Sequence, residues 1–334
     1  MSRFTRRRFL ACALGAAGIG SVGFAARPRR GGSQVVKREG RALGTSISLT
    51  VIHPDHQLAQ RAAEAALAEV QLVDRLMSLY RPDSQLCRLN ASGRLDNPHP
   101  YLVAVLHQAQ QVSARSNGAF DVTVQPLWEL YSAARRTGSL PAGNRLEAAV
   151  RKVNWRDVEV ASHRIRLRGH GTAVTLNGIA QGFAADRALA ALERHGIHDA
   201  LLDTGEIGSL GRPASARPWS IGIQHPRYPE VYLAVAALEG RCLSTSADYA
   251  TSFSADHRDN HLFDPRTGRS PTVLASVSVA APTATEADAL STAAYVLEPE
   301  DGLHLVESTP GADVLMVFKD GRTLASAGFP APVS

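Results

Sequence analysis

A carboxylate and a hydroxyl lie one helical turn apart near the C-terminal end of the chain. Asp288 and Thr292 belong to a predicted helix at residues 285–297. Positions i and i+4 share one face of a helix, so the two side chains could present hard oxygens to one cation, as Mg²⁺ and Ca²⁺ prefer. An acidic residue near a helix start is also favoured by the helix dipole alone. The spacing by itself therefore leaves both interpretations open.

Residues 176–182 combine the end of a predicted strand, a glycine-containing loop and the start of a predicted helix. Their sequence is LNGIAQG. Free backbone amides and the helix dipole at such a start can bind an anion. The segment matches neither the Walker pattern nor G-x-G-x-x-G, so a simple tight turn is the alternative interpretation.

Imidazole, carboxylate and guanidinium groups are concentrated at residues 257–268. A zinc site at His257 and His261 would lack a third convincing ligand. A histidine here could serve as a general base near neutral pH, or the whole run could be a solvated surface loop. Residues 244–246, Ser-Thr-Ser, follow a predicted strand without a G-x-S-x-G motif, so a hydrolase nucleophile is not indicated.

The elements that must position these residues are helices and strands in irregular order. Extended structure is predicted at residues 35–51, of which residues 46–51 alternate at period two, and a 3.6-residue apolar period predicts a helix from His56 to Leu79. Further helices are predicted at 101–116, 140–150, 183–194 and 285–297, a strand or turn at 120–124, and strands at 158–176, 200–203, 219–224, 231–239, 242–246, 276–281 and 314–318. Because strict βαβ alternation is missing, we expect an α+β fold rather than a doubly wound sheet.

The composition is that of a globular protein whose positive charge is confined to its start. The chain has 334 residues, of which 44% are hydrophobic, enough for one large or two small domains. Residues 1–30 hold seven Arg and no acid, and 29 basic residues face 31 acidic ones in the remainder. A nucleic-acid partner is therefore not expected. Cys87 and Cys242 form no C-x-x-C, which leaves free thiols or a structural disulfide.

The first 30 residues predict a twin-arginine signal peptide. Arg6 and Arg7 precede an apolar, Gly/Ala-rich run at residues 11–26, which is short for a membrane span. We expect a signal peptide at 1–30, a linker at 31–40 and one domain at 41–334. The expected location is the periplasm or the outer face of the inner membrane. An uncleaved anchor and lipidation at Cys12 are the alternatives.

Taken together and in this order, nine segments closely resemble the ApbE family of FAD:protein FMN transferases. They span residues 41 to about 322 and lie at 43–45, 77–90, 118–123, 178–186, 205–207, 219–223, 244–246, 261–268 and 287–292. The resemblance implies an α+β, T-fold-like arrangement of mixed sheets and helices, with FAD in a cleft between subdomains and Mg²⁺ at its pyrophosphate. The implied reaction moves FMN from FAD to a Thr or Ser hydroxyl of an acceptor protein and releases AMP.

The resemblance also implies roles for individual residues. Asp288 and Thr292 would hold Mg²⁺ through their side chains, and Gly178 and Ser291 through backbone carbonyls. His261 and Asp288 are the implied catalytic residues, with His261 deprotonating the acceptor hydroxyl. The implied FAD contacts are Leu43, Tyr80, Ala119, Phe120, Asp121, Thr175, Gln181 and Phe263.

The chain departs from the family pattern at the FAD contacts more than at the metal positions. Thr175 stands where the family usually has Asp, Gln181 replaces a charged residue, and Thr204 replaces the first Gly of Gly-Gly-Glu. Two alternatives therefore remain: an FAD pyrophosphatase that gives FMN and AMP, and a non-catalytic exported FAD-binding protein. The expected partner is an acceptor flavoprotein of a membrane or periplasmic redox system.

Overall fold

The structure is a computed structural model that describes residues 32–136, 138–213 and 217–329, so the predicted signal peptide at 1–30 lies outside it. The helices are α1 (His56–Met77), α2 (Gln85–Ser92), α3 (Pro100–Arg115), α4 (Gln125–Arg136), α5 (Gly143–Val150), α6 (Ala180–Arg194), α7 (Ala284–Val296) and α8 (Pro299–Glu307). Among the residues described, none of these helices has the length and apolar character needed to cross a membrane.

The strands form one large sheet and two small ones. They are β1 (Gln34–Ala42), β2 (Thr45–His53), β3 (Arg94–Asp96), β4 (Val158–Ala161), β5 (Arg164–Leu167), β6 (Asp199–Asp203), β7 (Ile207–Leu210), β8 (Trp219–Gln224), β9 (Tyr232–Leu238), β10 (Cys242–Ala247), β11 (Leu274–Ala281), β12 (Asp313–Phe318) and β13 (Thr323–Ala325). The eight-stranded sheet has the order β1-β2-β6-β7-β10-β11-β12-β13, and β3-β5-β4 and β8-β9 pair separately. The predicted α+β fold class is confirmed.

Two helices pack closely at the centre of the fold, and a glycine allows it. A Cβ added at Gly182 in α6 would lie 2.2 Å from the carbonyl oxygen of Ala284 in α7, so only glycine fits this contact. Asp186, one turn further along α6, accepts backbone N–H bonds from Ala284 at 2.8 Å and Thr285 at 3.0 Å. The carboxylate thereby satisfies the free amides at the start of α7 and fixes the helix that carries Asp288.

The linker predicted at residues 31–40 overlaps the extended structure predicted at 35–51, and from residue 34 onward the linker is wrong. Strand β1 begins at Gln34 and pairs with β2 along its whole length. It is the edge strand of the large sheet, and of its residues only Val36 and Ala42 are buried. A half-exposed edge strand therefore has the polar composition that suggested a linker.

Of the two structures predicted for residues 120–124, a strand or a turn, the structure shows a turn at residues 122–123. Residues 120–124 form no strand beyond a single bridge between Val124 and Ala173, and Pro126 is the second residue of α4. Proline is well tolerated in a first helical turn, because the amide there has no intrahelical partner. Pro126 therefore lies in the first turn of α4, a helix that the sequence pattern did not predict.

Candidate active site

A cleft of about 370 Å³ collects residues from distant parts of the chain. Its walls come from the β1–β2 turn, the end of α1, the starts of α4 and α6, the segment after β10 and one face of α7. The residues singled out by the sequence that line it are Leu43, Tyr80, Ala119, Phe120, Asp121, Thr175, Gly178, Gln181, His261, Phe263, Asp288 and Thr292. Their sequence separation shows that packing, rather than local structure, builds the site.

Oxygen donors occupy the α6–α7 end of the cleft. The Oδ2 atom of Asp288 accepts a 3.0 Å hydrogen bond from the backbone N–H of Gly182, and Thr292 lies one turn later on α7. Gly178 packs against that turn, because a Cβ added there would lie 3.0 Å from Oγ1 of Thr292. A carboxylate, a hydroxyl and a nearby backbone carbonyl are the donor types that suit Mg²⁺.

Glu206 is a second carboxyl at this end of the cleft, to which the sequence analysis assigned no role. Burial, with the nearby negative charge of Asp288, raises its pKa well above the usual range. Burial likewise raises the pKa of Asp288 to about 7. Among the described residues, Oε2 of Glu206 has no hydrogen-bond partner. Two buried carboxyls with an unsatisfied oxygen fit a bound cation, which would offset the cost of ionising both.

The cleft nevertheless offers few carboxylates as ligands for a metal ion. Across the described ranges, no three His, Cys, Asp or Glu side chains come together in a metal-binding group. A cation here would therefore also depend on hydroxyl and carbonyl oxygens. This suits Mg²⁺, which commonly uses one or two carboxylates together with substrate phosphates and water.

Ser291 lies behind the cleft wall. Its hydroxyl is fully buried and contacts Oγ of Ser246 at 2.8 Å and Oγ of Ser244 at 3.2 Å. Ser246 also lies 3.2 Å from Oγ1 of Thr292. This hydroxyl chain joins β10 to α7 and orients Thr292, so the Ser-Thr-Ser segment supports the site.

His261 is held by the segment that follows β10. Its Nδ1 lies 3.2 Å from the carbonyl oxygen of Thr251, and its backbone N–H donates to the same oxygen at 3.1 Å. A carbonyl only accepts, so Nδ1 carries the proton in the neutral ring and Nε2 is the basic nitrogen. The ring is therefore oriented for general-base chemistry.

The end of the cleft beside the β1–β2 turn is largely apolar, and Phe120 joins it to the oxygen donors, because a Cβ added at Gly178 would lie 3.4 Å from Cε2 of Phe120. Leu43 and Gly44 close the β1–β2 hairpin with positive φ angles of 51° and 75°, as a type I′ turn requires, and Asp74 accepts the Leu43 N–H at 2.8 Å. Phe120 and Phe263 are buried, whereas the Tyr80 ring is 62% exposed at the mouth. This end therefore suits a planar, aromatic ligand.

Asp121 is the carboxyl among these apolar residues. It accepts hydrogen bonds from the backbone N–H and hydroxyl of Thr123 at 2.7 and 2.6 Å, and from the Trp155 N–H at 2.9 Å. Burial raises its pKa despite these bonds. The carboxyl is thus fixed in place by its neighbours.

Tyr249 also lines the cleft, and its phenol oxygen is buried without a partner in the described chain.

Two departures from the family pattern contact each other. The side-chain amide of Gln181 donates to the backbone carbonyl of Thr204 at 2.9 Å, and the Thr204 hydroxyl donates to the backbone carbonyl of Gln181 at 3.1 Å. Gly205 packs directly under this amide, where a Cβ would lie 2.3 Å from Nε2. The pair therefore ties the loop bearing Glu206 to the start of α6. Thr175, the third departure, donates its N–H to the Val122 carbonyl at 2.7 Å.

The fold and the cleft define an α+β protein whose binding site has an aromatic end and an oxygen-rich end suited to a hard cation. The ApbE family model matches residues 43–316 of this chain. The chain therefore belongs to the ApbE family.

Individual relatives agree with this assignment along nearly the whole length. The chain is 31% identical to the FAD:protein FMN transferase of Escherichia coli strain K12, over 95% of this chain and 93% of that protein. It is 32% identical to the FAD:protein FMN transferase of Treponema pallidum, over 93% and 91%.

Solved structures show the same architecture. The ApbE protein of Thermotoga maritima superposes with a TM-score of 0.77 at 28% identity, covering 88% of this chain and 97% of that one. The apo form of the Pseudomonas stutzeri flavinyl transferase ApbE gives a TM-score of 0.78 at 28% identity, covering 90% and 98%.

Proposed function

We propose that this chain transfers FMN from FAD to a Thr or Ser hydroxyl of an acceptor flavoprotein and releases AMP. The observation that carries the proposal is one cleft, in an ApbE-family chain, that holds the oriented His261 together with Asp288 and Thr292. The similar proteins of Escherichia coli and Treponema pallidum bear the name of this activity. Their likeness extends over most of the chain and supports the assignment.

The proposed reaction is a phosphoryl substitution without a change in oxidation state. The acceptor hydroxyl oxygen forms a bond to the phosphorus of the FMN half of FAD. The bond from that phosphorus to the bridging oxygen breaks, and AMP leaves with this oxygen and the electron pair. The hydroxyl proton passes to Nε2 of His261, the basic nitrogen left by the contact of Nδ1 with Thr251.

Asp288 and Thr292, with the backbone carbonyls of Gly178 and Ser291, would hold Mg²⁺ at the oxygen-rich end. When bound, the ion neutralises charge that develops on the pyrophosphate. The Gly182 N–H holds the Asp288 carboxylate in the orientation that faces the cleft. Phe120, Phe263 and neighbouring apolar residues would contact the flavin half of FAD and hold it in the cleft.

We also propose that the protein acts in the periplasm or at the outer face of the inner membrane. The support is the pair Arg6–Arg7 ahead of a moderately apolar run. Changing both arginines to lysine in the full chain should leave the protein in the cytoplasmic fraction. Unchanged export of the variant would contradict the twin-arginine route, and a natural protein found in the cytoplasmic fraction would contradict the location.

The transfer is tested by the intact mass of an acceptor domain after incubation with the protein, FAD and Mg²⁺, with EDTA as the matched control. A Mg²⁺-dependent gain of one FMN less water, with AMP released, is the expected result. Free FMN and AMP with an unmodified acceptor would indicate a pyrophosphatase. Intact bound FAD with every acceptor would indicate a flavin-binding protein.

A further inference from the structure

A small notch adjoins the cleft on the side of Glu206. It has a volume of about 40 Å³ and shares Gly205, Glu206, Gln224 and Thr245 with the main cleft. We call it the β8 notch; its other lining residues are Asp203, Ile207, Ile221, Gly222, Ile223 and Leu243. Since one wall belongs to both cavities, a group in the notch lies beside the oxygen-rich end of the cleft.

The β8 notch runs along the edge of a strand. Four consecutive residues of β8, 221–224, line it, although consecutive side chains of a strand point to opposite faces. A cavity that contacts all four must therefore lie at the strand edge. Among the described strands β8 pairs only with β9, so its other edge has no partner strand, which is the kind of edge that an extended peptide segment can bind.

The β8–β9 hairpin presents an apolar surface at its turn and at the first residue of β9. Tyr228 is 59% exposed, Val231 48% and Tyr232 46%, and we call residues 225–232 the hairpin tip. The tip is ordered, because Nδ1 of His225 accepts the Tyr228 N–H at 3.2 Å and the two rings lie 4.8 Å apart. Clustered, rigid tyrosine surface is typical of protein–protein contacts.

The hairpin tip is fixed relative to the reaction site. Arg227 forms two 2.8 Å hydrogen bonds to the carboxylate of Asp248, which is completely buried. Lys319 lies 3.6 Å from the same carboxylate. Asp248 directly follows β10 and begins the segment that leads to His261. A bidentate ion pair to a buried carboxylate has a defined geometry, so the tip is held against the start of the segment that carries His261.

We propose that the β8 notch and the hairpin tip form the docking surface for the acceptor protein. The acceptor binds as an extended segment along β8, its apolar flank rests on the hairpin tip, and a small side chain next to its reactive hydroxyl fills the notch. A volume of about 40 Å³ leaves room for roughly one to three heavy atoms. This inference rests on the proposed transfer of FMN to a protein.

The surface is tested with the double variant Tyr228→Ser/Val231→Ser. Neither residue lines the cleft, so the variant should raise the KM for the acceptor at least tenfold and leave the KM for FAD and the melting temperature unchanged. Val35→Ser is the matched control: Val35 is 51% exposed on the outer strand of the large sheet. An acceptor KM that stays at the control value would overturn the proposal.

The notch is tested through the acceptor, which leaves the enzyme intact. Each residue that flanks the reactive hydroxyl is changed in turn to Leu in an otherwise unaltered acceptor domain. At least one change should lower kcat/KM for transfer tenfold or more, because Leu exceeds the notch volume. Full transfer to every such acceptor would rule out the notch as a side-chain pocket.

Hydrogen exchange separates docking from catalysis. The probe is the soluble domain of a flavoprotein subunit of a membrane redox chain from the same organism, added to the FAD-bound protein. Docking should protect residues 219–238, and protection confined to other segments would overturn the proposal. A protein that fails to transfer FMN but shows this protection would contradict the proposed function and support the docking surface.

Discussion

Replacing Asp288 by Asn should change how the stability of the metal-free protein depends on pH. Asp288 is 3% exposed, and burial raises its pKa from 3.8 to about 7. The folded protein therefore holds a proton that the unfolded chain releases. This stabilising contribution is complete below pH 4 and is lost as the pH rises through 7.

The size of the effect follows from the pKa. At about 1.4 kcal/mol per pH unit, a rise from 3.8 to about 7 corresponds to roughly 4 kcal/mol of unfolding free energy lost between roughly pH 4 and pH 8. Asn has the same shape, and its carbonyl can still accept the Gly182 N–H. The variant should therefore be more stable than the natural protein at pH 8 in EDTA, with the difference shrinking towards pH 4.

The assay is urea unfolding of both proteins in EDTA and in Mg²⁺, from pH 4.5 to pH 8.5. The comparison is the difference between them, because other buried acids, such as Asp203 with a pKa of about 6, titrate in both. Mg²⁺ competes with the proton for Asp288, so it should stabilise the natural protein more at pH 8 than at pH 6 and have little effect on the variant.

Two results would refute this reasoning. If the free energies of unfolding of the two proteins depended on pH in the same way in EDTA, ionisation of Asp288 would not destabilise the folded protein. Equal Mg²⁺ stabilisation of the two proteins at pH 8 would remove Asp288 from the metal site.

Three further experiments test the role of His261, the contact between Gln181 and Thr204, and the burial of Cys242. His261→Ala should lower the rate of transfer by about 10²–10⁴-fold with FAD affinity retained, measured by acceptor mass and FAD titration; unchanged transfer would exclude His261 as the base. Gln181→Ala and Thr204→Ala should each lower the free energy of unfolding by about 0.5–1.5 kcal/mol, because each side chain donates to the backbone carbonyl of the other residue; unchanged stability in both variants would contradict the reciprocal contact. Burial raises the pKa of Cys242 to about 12, so alkylation at pH 8 should label the partly exposed Cys87 first, whereas preferential labelling of Cys242 would contradict its burial.

The sequence by itself determined the fold class and the family, and every site residue that it singled out except Ser291 lines the cleft. The helical spacing of Asp288 and Thr292 placed both on one face of α7, because four residues nearly complete a helical turn. The motifs in register along the chain supplied His261 and the apolar contacts, and the structure gathers these around one cleft. Such features are local, so they can be interpreted one segment at a time.

The tertiary structure alone decided which distant side chains meet. Glu206 lies more than 80 residues from Asp288, yet packing buries both carboxyls close enough to raise the pKa of Glu206. The contact of Gln181 with Thr204 and the withdrawal of Ser291 behind the wall likewise depend on how α6, α7 and β10 pack. The start of the edge strand β1 was assigned both to a linker and to an extended segment for the same reason: pairing partners and burial are set by the whole fold and are not visible in the composition of one segment.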